Sequence, residues 1–278
     1  MTVFHAIALG IVQGITEFLP ISSSGHLLIL PWLFHWNESS LSFDVALHTG
    51  TLVAMLAYFW SDWRAILAGS MNDLRDDRFG KRLNSKLLLF IVLGSIPAGI
   101  AGIKYEHVIE DQFRAMYLGV AVAMMALGVL LYLADILGRK QRSVNSVGVW
   151  DAIVIGCSQA LALFPGVSRS GATITAGLFA GLNREAAARF SFLLATPIIF
   201  GAAALKLAET AKQIAHHQPL DSPISLLLIG LAVSAIVGYA VIAWLLSYIK
   251  RHSMLPFVIY RILFGLMVIF IYHSRLGQ

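Results

Sequence analysis

Residues 13–26 read Gln13-Gly14-Ile15-Thr16-Glu17-Phe18-Leu19-Pro20-Ile21-Ser22-Ser23-Ser24-Gly25-His26. An apolar arm, residues 3–19, leads into the polar knot at the end of this stretch, and a second arm, Leu27 to Phe34, leads away. Neither arm reaches the ~20 residues with which an α-helix crosses a bilayer. The pattern predicts a re-entrant hairpin, whose broken backbone is allowed at membrane depth only where protein or a watery cavity surrounds it. Residues 149–164 lead in the same way into Pro165-Gly166-Val167-Ser168-Arg169-Ser170-Gly171, and another short apolar stretch follows.

The two knots are copies. Shifted by 146 residues, six of sixteen positions in 10–25 and 156–171 are identical, among them Gln13 with Gln159, Phe18 with Phe164, and Ser22 with Ser168. A weaker echo at 139 residues pairs Ser95 with Ser234, Gly99 with Gly238 and Ile103 with Ile242. Six other stretches read as full spans: 43–60, 87–104, 113–133, 190–208, 224–246 and 255–273. The chain therefore reads as a single all-α polytopic membrane domain, 1–278, with repeat 1 at about 1–140 and repeat 2 at about 147–278. Each repeat is a re-entrant hairpin followed by three transmembrane helices. Three crossings is an odd number, so the second copy is expected to be inverted, with the site between the repeats near the midplane.

Composition agrees. Of 278 residues, 58% are hydrophobic and 13% are charged, about half the charged share of a soluble domain. The net charge of +5 is carried by loop lysines and arginines, so no nucleic-acid partner is implied. The lone Cys157 excludes an internal disulfide. Loops near 61–86, 134–150, 181–189 and 247–253 hold 13 Lys and Arg, against 3 on the opposite side, so the first side is expected to be cytoplasmic. The 61–86 segment, with 10 charged residues of both signs, reads as a solvated connection.

Several polar residues lie where a bilayer disfavours them. Glu17 sits inside an apolar arm, at an insertion cost of ~2.5–3.5 kcal/mol or more, with Gln13 one turn earlier on its helical face. His26 follows Ser22, Ser23 and Ser24, and beside Glu17 it is a candidate general acid or base. Arg169, flanked by Ser168 and Ser170 with Thr173 one turn on, offers a planar fork matched to phosphate oxygens. The helices leaving both knots aim free N–H groups inward, as an anion site requires. Ser168 and Thr173, taken singly, are also ordinary caps. Under the 146-residue shift Ser23 pairs with Arg169, so one hairpin supplies hydroxyl, acid and imidazole while the other supplies the cation. His5, His35, His107, His216, His217, His252 and His273 fall near span ends or loops, and Asp44 and His48 read as the capped start of a span.

These motifs resemble the bacterial undecaprenyl-diphosphatase family, membrane proteins linked to bacitracin resistance. The family's acid-or-Gln, three residues, acid signature is matched by Gln13 and Glu17, and its serine-rich turn by Pro20 to His26. Its second signature is matched by Pro165 to Thr173, and the resemblance covers essentially the whole chain. It implies a hydrolase that releases phosphate from undecaprenyl diphosphate, a polyisoprenoid diphosphate lipid, and so recycles the carrier used in peptidoglycan synthesis. It also implies interdigitated inverted repeats, with a site opening to the periplasmic face of the inner membrane.

On this reading Ser23 attacks the terminal phosphorus while His26, oriented by Glu17, carries the proton. Arg169, Ser168, Ser170, Thr173, Ser22 and Ser24 bind phosphate, and Gln13 orients. Direct attack by water, with Ser23 only binding phosphate, remains the alternative. No cofactor is expected to be held permanently, though a divalent cation, Mg²⁺ or Ca²⁺, bridging Glu17 and the diphosphate fits the usual one-carboxylate-plus-phosphate pattern. The competing class is a transporter or lipid flippase, for which inverted repeats are common. The Glu17, Ser23 and His26 group favours hydrolysis, and the two functions are compatible, the lipid monophosphate being returned across the membrane. Gly177 and Gly181 form a small-xxx-small pair suited to packing within the chain or in a homodimer.

Overall fold

The computed structural model describes residues 1–36, 40–113, 116–215 and 221–276. His216 and His217 lie outside the described residues, as does the side chain of His107. The described chain forms eleven α-helices and one short 3₁₀ turn. Proline, glycine and the serine caps break it where the sequence breaks. Helix α1 (Val3–Thr16) ends one residue before Glu17, and α2 (Ser23–Phe34) starts after the cap residue Ser22. Then come α3 (Leu41–Tyr58), α4 (Trp60–Arg75), α5 (Leu83–Phe113) and α6 (Tyr117–Leu137). The second half holds α7 (Val149–Leu161), α8 (Arg169–Phe179), α9 (Arg184–Ala215), α10 (Ile224–Ile249) and α11 (Leu255–Leu276).

Six segments are long and apolar enough to cross a membrane: Leu41–Tyr58, Leu83–Tyr105, Tyr117–Leu137, Arg184–Ala208, Ile224–Ile249 and Leu255–Arg275. They match the six spans read from the sequence. Their outward faces carry exposed Ile96, Ile100 and Ile103 on α5, Ile236 on α10 and Phe270 on α11, apolar surface of the kind a bilayer covers. The chain is a multi-pass membrane protein.

One element corrects the sequence reading. Residues 61–86 are not a loop throughout, because α4 occupies most of the segment. Its buried Ile66, Ser70 and Asp73 recur at helical spacing, and Asp73 accepts from Arg82 at 3.2 Å and from Ser85 at 2.7 Å. Apart from the buried Asp73, the charged residues that suggested a solvated connection occupy the helix's other faces, the turn that follows and the start of α5.

Both hairpins return to the side on which they begin. Arg142 donates to Asp151 at the start of α7 (2.9 and 2.6 Å) and to the Ala180 carbonyl at the end of α8 (2.8 Å), so one guanidinium clasps both ends. In the first hairpin His5 of α1 lies 4.7 Å, ring to ring, from Trp36 just beyond α2. At the Arg142 end of the bundle, ion pairs fasten the full spans: Arg184 to Asp135 at 2.5 Å, Arg189 to Asp62 at 2.6 Å and Lys250 to Glu185 at 3.2 Å. Close packing of the hairpins relies on glycine. A Cβ on Gly14 would stand 2.8 Å from Val237 of α10, and one on Gly156 would strike the backbone of Gly94 in α5. Gly177 packs on Ala187 within the chain and Gly181 ends α8 at φ +85°, so the small-xxx-small pair serves internal packing.

Candidate functional site

The two knots share the same cap geometry. Ser22 (φ 78°) and Ser168 (φ 72°) occupy the positive-φ region that side chains other than glycine avoid, a strain of roughly 1–3 kcal/mol each. Each caps the helix that follows, accepting from Gly25 N–H at 3.3 Å and from Gly171 N–H at 3.0 Å. Each also lies within reach of the next-but-one hydroxyl, Ser24 at 3.4 Å and Ser170 at 3.2 Å. The first N–H groups of α2 and α8, those of Ser23, Ser24, Arg169 and Ser170, are not used by the helices themselves.

What holds this strained pair of turns is a residue that the sequence reading passed over. Arg261 of α11 is 0% exposed, the largest fully buried side chain among the described residues. Its Nη1 donates to the Pro20 carbonyl at 3.0 Å, and its Nη2 to those of Gly166 (2.9 Å) and Val167 (3.3 Å). Its Nε donates to the Met124 carbonyl of α6 at 2.6 Å. One guanidinium thus ties both knots to α6. The signal was present, an arginine in the middle of an apolar span, and it is the same signal that singled out Arg169.

At the meeting of the knots lies Glu17. Its Oε1 accepts from Arg169 Nη2 of the other hairpin. Its Oε2 accepts from Ser23 Oγ at 2.6 Å and from Gln13 Nε2 at 3.1 Å. A third group faces the same oxygen, because His48 Nε2 of α3 lies 3.9 Å from it. The sequence reading took Asp44 and His48 for the capped start of a span. The cap of α3 is Ser40, accepting from Phe43 N–H at 3.2 Å, which leaves His48 for the site.

His26 stands elsewhere. Its Nδ1 lies 2.7 Å from the Ser22 carbonyl, an acceptor only, so Nδ1 carries the proton. Its Nε2 then accepts from the Tyr260 hydroxyl at 2.6 Å, and the ring stacks on Phe264 at 4.5 Å. Neither nitrogen meets Glu17 or Ser23, and the expected orientation of His26 by Glu17 is not formed. The hydroxyls expected at phosphate divide likewise. Ser22 and Ser168 are spent on caps, Ser170 donates to the Leu19 carbonyl at 3.0 Å, and Thr173 bonds the Arg169 carbonyl at 2.7 Å and Ser191 Oγ. Ser24 and Arg169 face a cavity.

That cavity has a volume of about 650 Å³. Ser24, Arg169, His48 and Asp44 give it a polar side, and Leu27, Pro31, Trp32, Ile198 and Ile199 an apolar one. Such a space accepts an amphiphile with an anionic head. Among the described residues no three of His, Cys, Asp and Glu converge to hold an ion, and both oxygens of Glu17 are already met by Arg169, Ser23 and Gln13. The described residues offer no all-protein cage for a resident cation.

The fold and the site define a class: a polytopic helical membrane protein with a hydroxyl–carboxylate–guanidinium cluster between two broken hairpins, whose guanidinium lines an amphiphile-sized cavity. The model of the bacitracin resistance protein BacA family matches residues 6–267, and the chain belongs to that family. Among its relatives, the undecaprenyl-diphosphatase of Geobacter sulfurreducens is 48% identical over 265 residues, covering 95% of this chain and 96% of its own. That of Moorella thermoacetica is 44% identical over 275 residues (99% and 100%), and that of Thermomicrobium roseum is 46% identical over 283 (98% of each).

Proposed function

We propose that this chain is a membrane hydrolase that cleaves undecaprenyl diphosphate to undecaprenyl phosphate and inorganic phosphate. The observation that carries the reading is the 2.6 Å hydrogen bond from Ser23 Oγ to Glu17 Oε2 beside a cavity with one polar and one apolar side. A serine hydroxyl becomes a nucleophile when an adjacent base takes its proton, and Glu17 is that base. Arg169, Ser24 and the N–H groups that open α2 and α8 receive the charge on the phosphoryl oxygens, while Gln13 steadies the carboxylate. Ser22, Ser168, Ser170 and Thr173 hold the frame that aims these donors, and His26 braces α2 against α11. The names and extended similarity of the relatives support the same reading. Purified protein given undecaprenyl diphosphate in detergent releases phosphate and leaves the lipid monophosphate. A folded preparation that releases none contradicts the proposal.

The finer parts of the reading go with it. The chain acts as one domain of two interlocked, inverted repeats in the bacterial inner membrane, with the cavity opening to the periplasm. It recycles the peptidoglycan lipid carrier and confers bacitracin resistance by consuming the diphosphate. Packing supports the interlock: Gly10 sits on Val233 and its counterpart Gly156 sits on Gly94, itself the counterpart of Val233 under the 139-residue shift. Each hairpin thus packs on a span of the other repeat. This architecture also favours a second activity, return of the lipid monophosphate across the bilayer, which a flipping assay in proteoliposomes tests directly.

A further inference from the structure

The phosphatase reading leaves one group of the cluster without a task. His48 Nδ1 lies 2.9 Å from the Asp44 carbonyl, an acceptor only, so Nδ1 holds a proton whatever the charge of the ring. The opposite nitrogen, Nε2, lies 3.9 Å from Glu17 Oε2. In the neutral ring this nitrogen is a bare lone pair facing a carboxylate, an arrangement relieved as soon as a proton enters between them. The oxygen it faces is the one that holds the Ser23 hydroxyl. His48 differs from Glu17 in one further respect: its side chain is 38% exposed against 4%, and it lines the cavity.

We propose that His48 is the outer end of a proton relay, taking from Glu17 the proton that Ser23 gives up and discharging it into the cavity. The proposal rests on the phosphatase reading and deepens it. In the first half-reaction Ser23 Oγ bonds to the terminal phosphorus, and the bridging P–O bond breaks with its electron pair leaving on the lipid monophosphate. The hydroxyl proton passes to Glu17 Oε2 and on, through one water spanning the 3.9 Å gap, to His48 Nε2, and leaves through the cavity. In the second, water attacks the phosphoserine and the emptied Glu17–His48 pair takes a proton from it. The pair returns that proton to Oγ as the Oγ–P bond breaks, and inorganic phosphate departs. Without His48 the proton has no onward acceptor in the cluster, and the serine is deprotonated less readily.

Other charged groups adjoin the same space and bear on the pH profile. Asp44 lies one turn earlier on α3, Arg169 reaches in from α8, Lys206 from α9 and His35 from the end of α2. Helix α10, packed along α3, carries no charged residue and no histidine. His48 and Arg169 both face Glu17 and the cavity, and of the two only the imidazole can take up and give back a proton.

The test is His48→Gln, which fills the space without titrating, read by phosphate release as a function of pH, with the folded state checked by thermal melting. Wild type is expected to show an acid limb where the relay is already protonated. In His48→Gln the rate near pH 7 falls about 10-fold, less than the ~10²–10⁴-fold of a lost general base, and the acid limb moves toward the carboxylate range by more than about one unit. His48→Asn carries the same test if the glutamine variant does not fold. A folded variant whose acid limb stays in place overturns the relay, since a structural role alters stability or KM and leaves the limb alone. Failure of wild type to release phosphate overturns the phosphatase reading itself.

Discussion

Replacing Arg261 by methionine tests how the two knots are held. The side chain keeps its length and loses all of its donors, so the carbonyls of Pro20, Gly166 and Val167 are left facing an apolar interior. Met124 belongs to the body of α6, so its carbonyl keeps its helical partner. Three orphaned carbonyls at ~1–3 kcal/mol each would cost about 3–9 kcal/mol, and relief of the buried guanidinium's desolvation returns several. The net expectation is a loss of about 2–5 kcal/mol. Released turns also let Ser22 and Ser168 relax from their positive φ, which misaims Ser23 and Arg169. Arg261→Lys keeps the charge but cannot span both knots with a planar fork, so it falls between methionine and wild type. Unfolding in mixed detergent–SDS micelles measures the loss, and phosphate release per folded molecule measures the misaiming. If Arg261→Met unfolds within about 1 kcal/mol of wild type and keeps full activity, the clamp has been misread.

Glu17→Gln removes the base and leaves Arg169 without its carboxylate, so phosphate release falls by ~10²–10⁴-fold and the folded state weakens by ~3–5 kcal/mol. Activity within 10-fold of wild type would show that another group takes the serine proton. Tyr260→Phe removes the hydroxyl bonded to His26 and keeps the stacked ring, so stability drops by about 1 kcal/mol while the rate changes only a few-fold. A large rate loss there returns His26 to the chemistry. Gly156→Ala drives a methyl into the backbone of Gly94, costing about 1–3 kcal/mol in an unfolding titration. Gly102→Ala, with no neighbour near its added methyl among the described residues, gains up to about 1 kcal/mol in the same titration.

Where the sequence was informative, one-dimensional signals sufficed. Apolar runs of bilayer length located all six spans, and the two knots announced both hairpins by being too polar and too short-armed to cross. Glu17, Ser23 and Arg169 stood out because each interrupts apolar sequence or sits at a break in it, and the fold brings them together. What stayed hidden depends on packing. His48 meets Glu17 only because α3 lies beside the first knot, and from α3 alone it reads as part of a polar helix start. His26 adjoins Ser23 in sequence, yet helical geometry turns its ring toward α11, a placement that nearness along the chain does not show. Ser170 was legible as a hydroxyl but not as a spent one, because its partner, the Leu19 carbonyl, comes from the other hairpin. Helix α4 was obscured by its ten-charge segment, whose buried face is only three residues wide.

The most direct measurement compares phosphate release from undecaprenyl diphosphate by purified wild type, Ser23→Ala and Arg169→Ala, each verified as folded. The two-hairpin account predicts release by wild type and its loss in both variants, since one removes the nucleophile of the first knot and the other the cation of the second. Release by Ser23→Ala at the wild-type rate, or by Arg169→Ala at full affinity and rate, would contradict it.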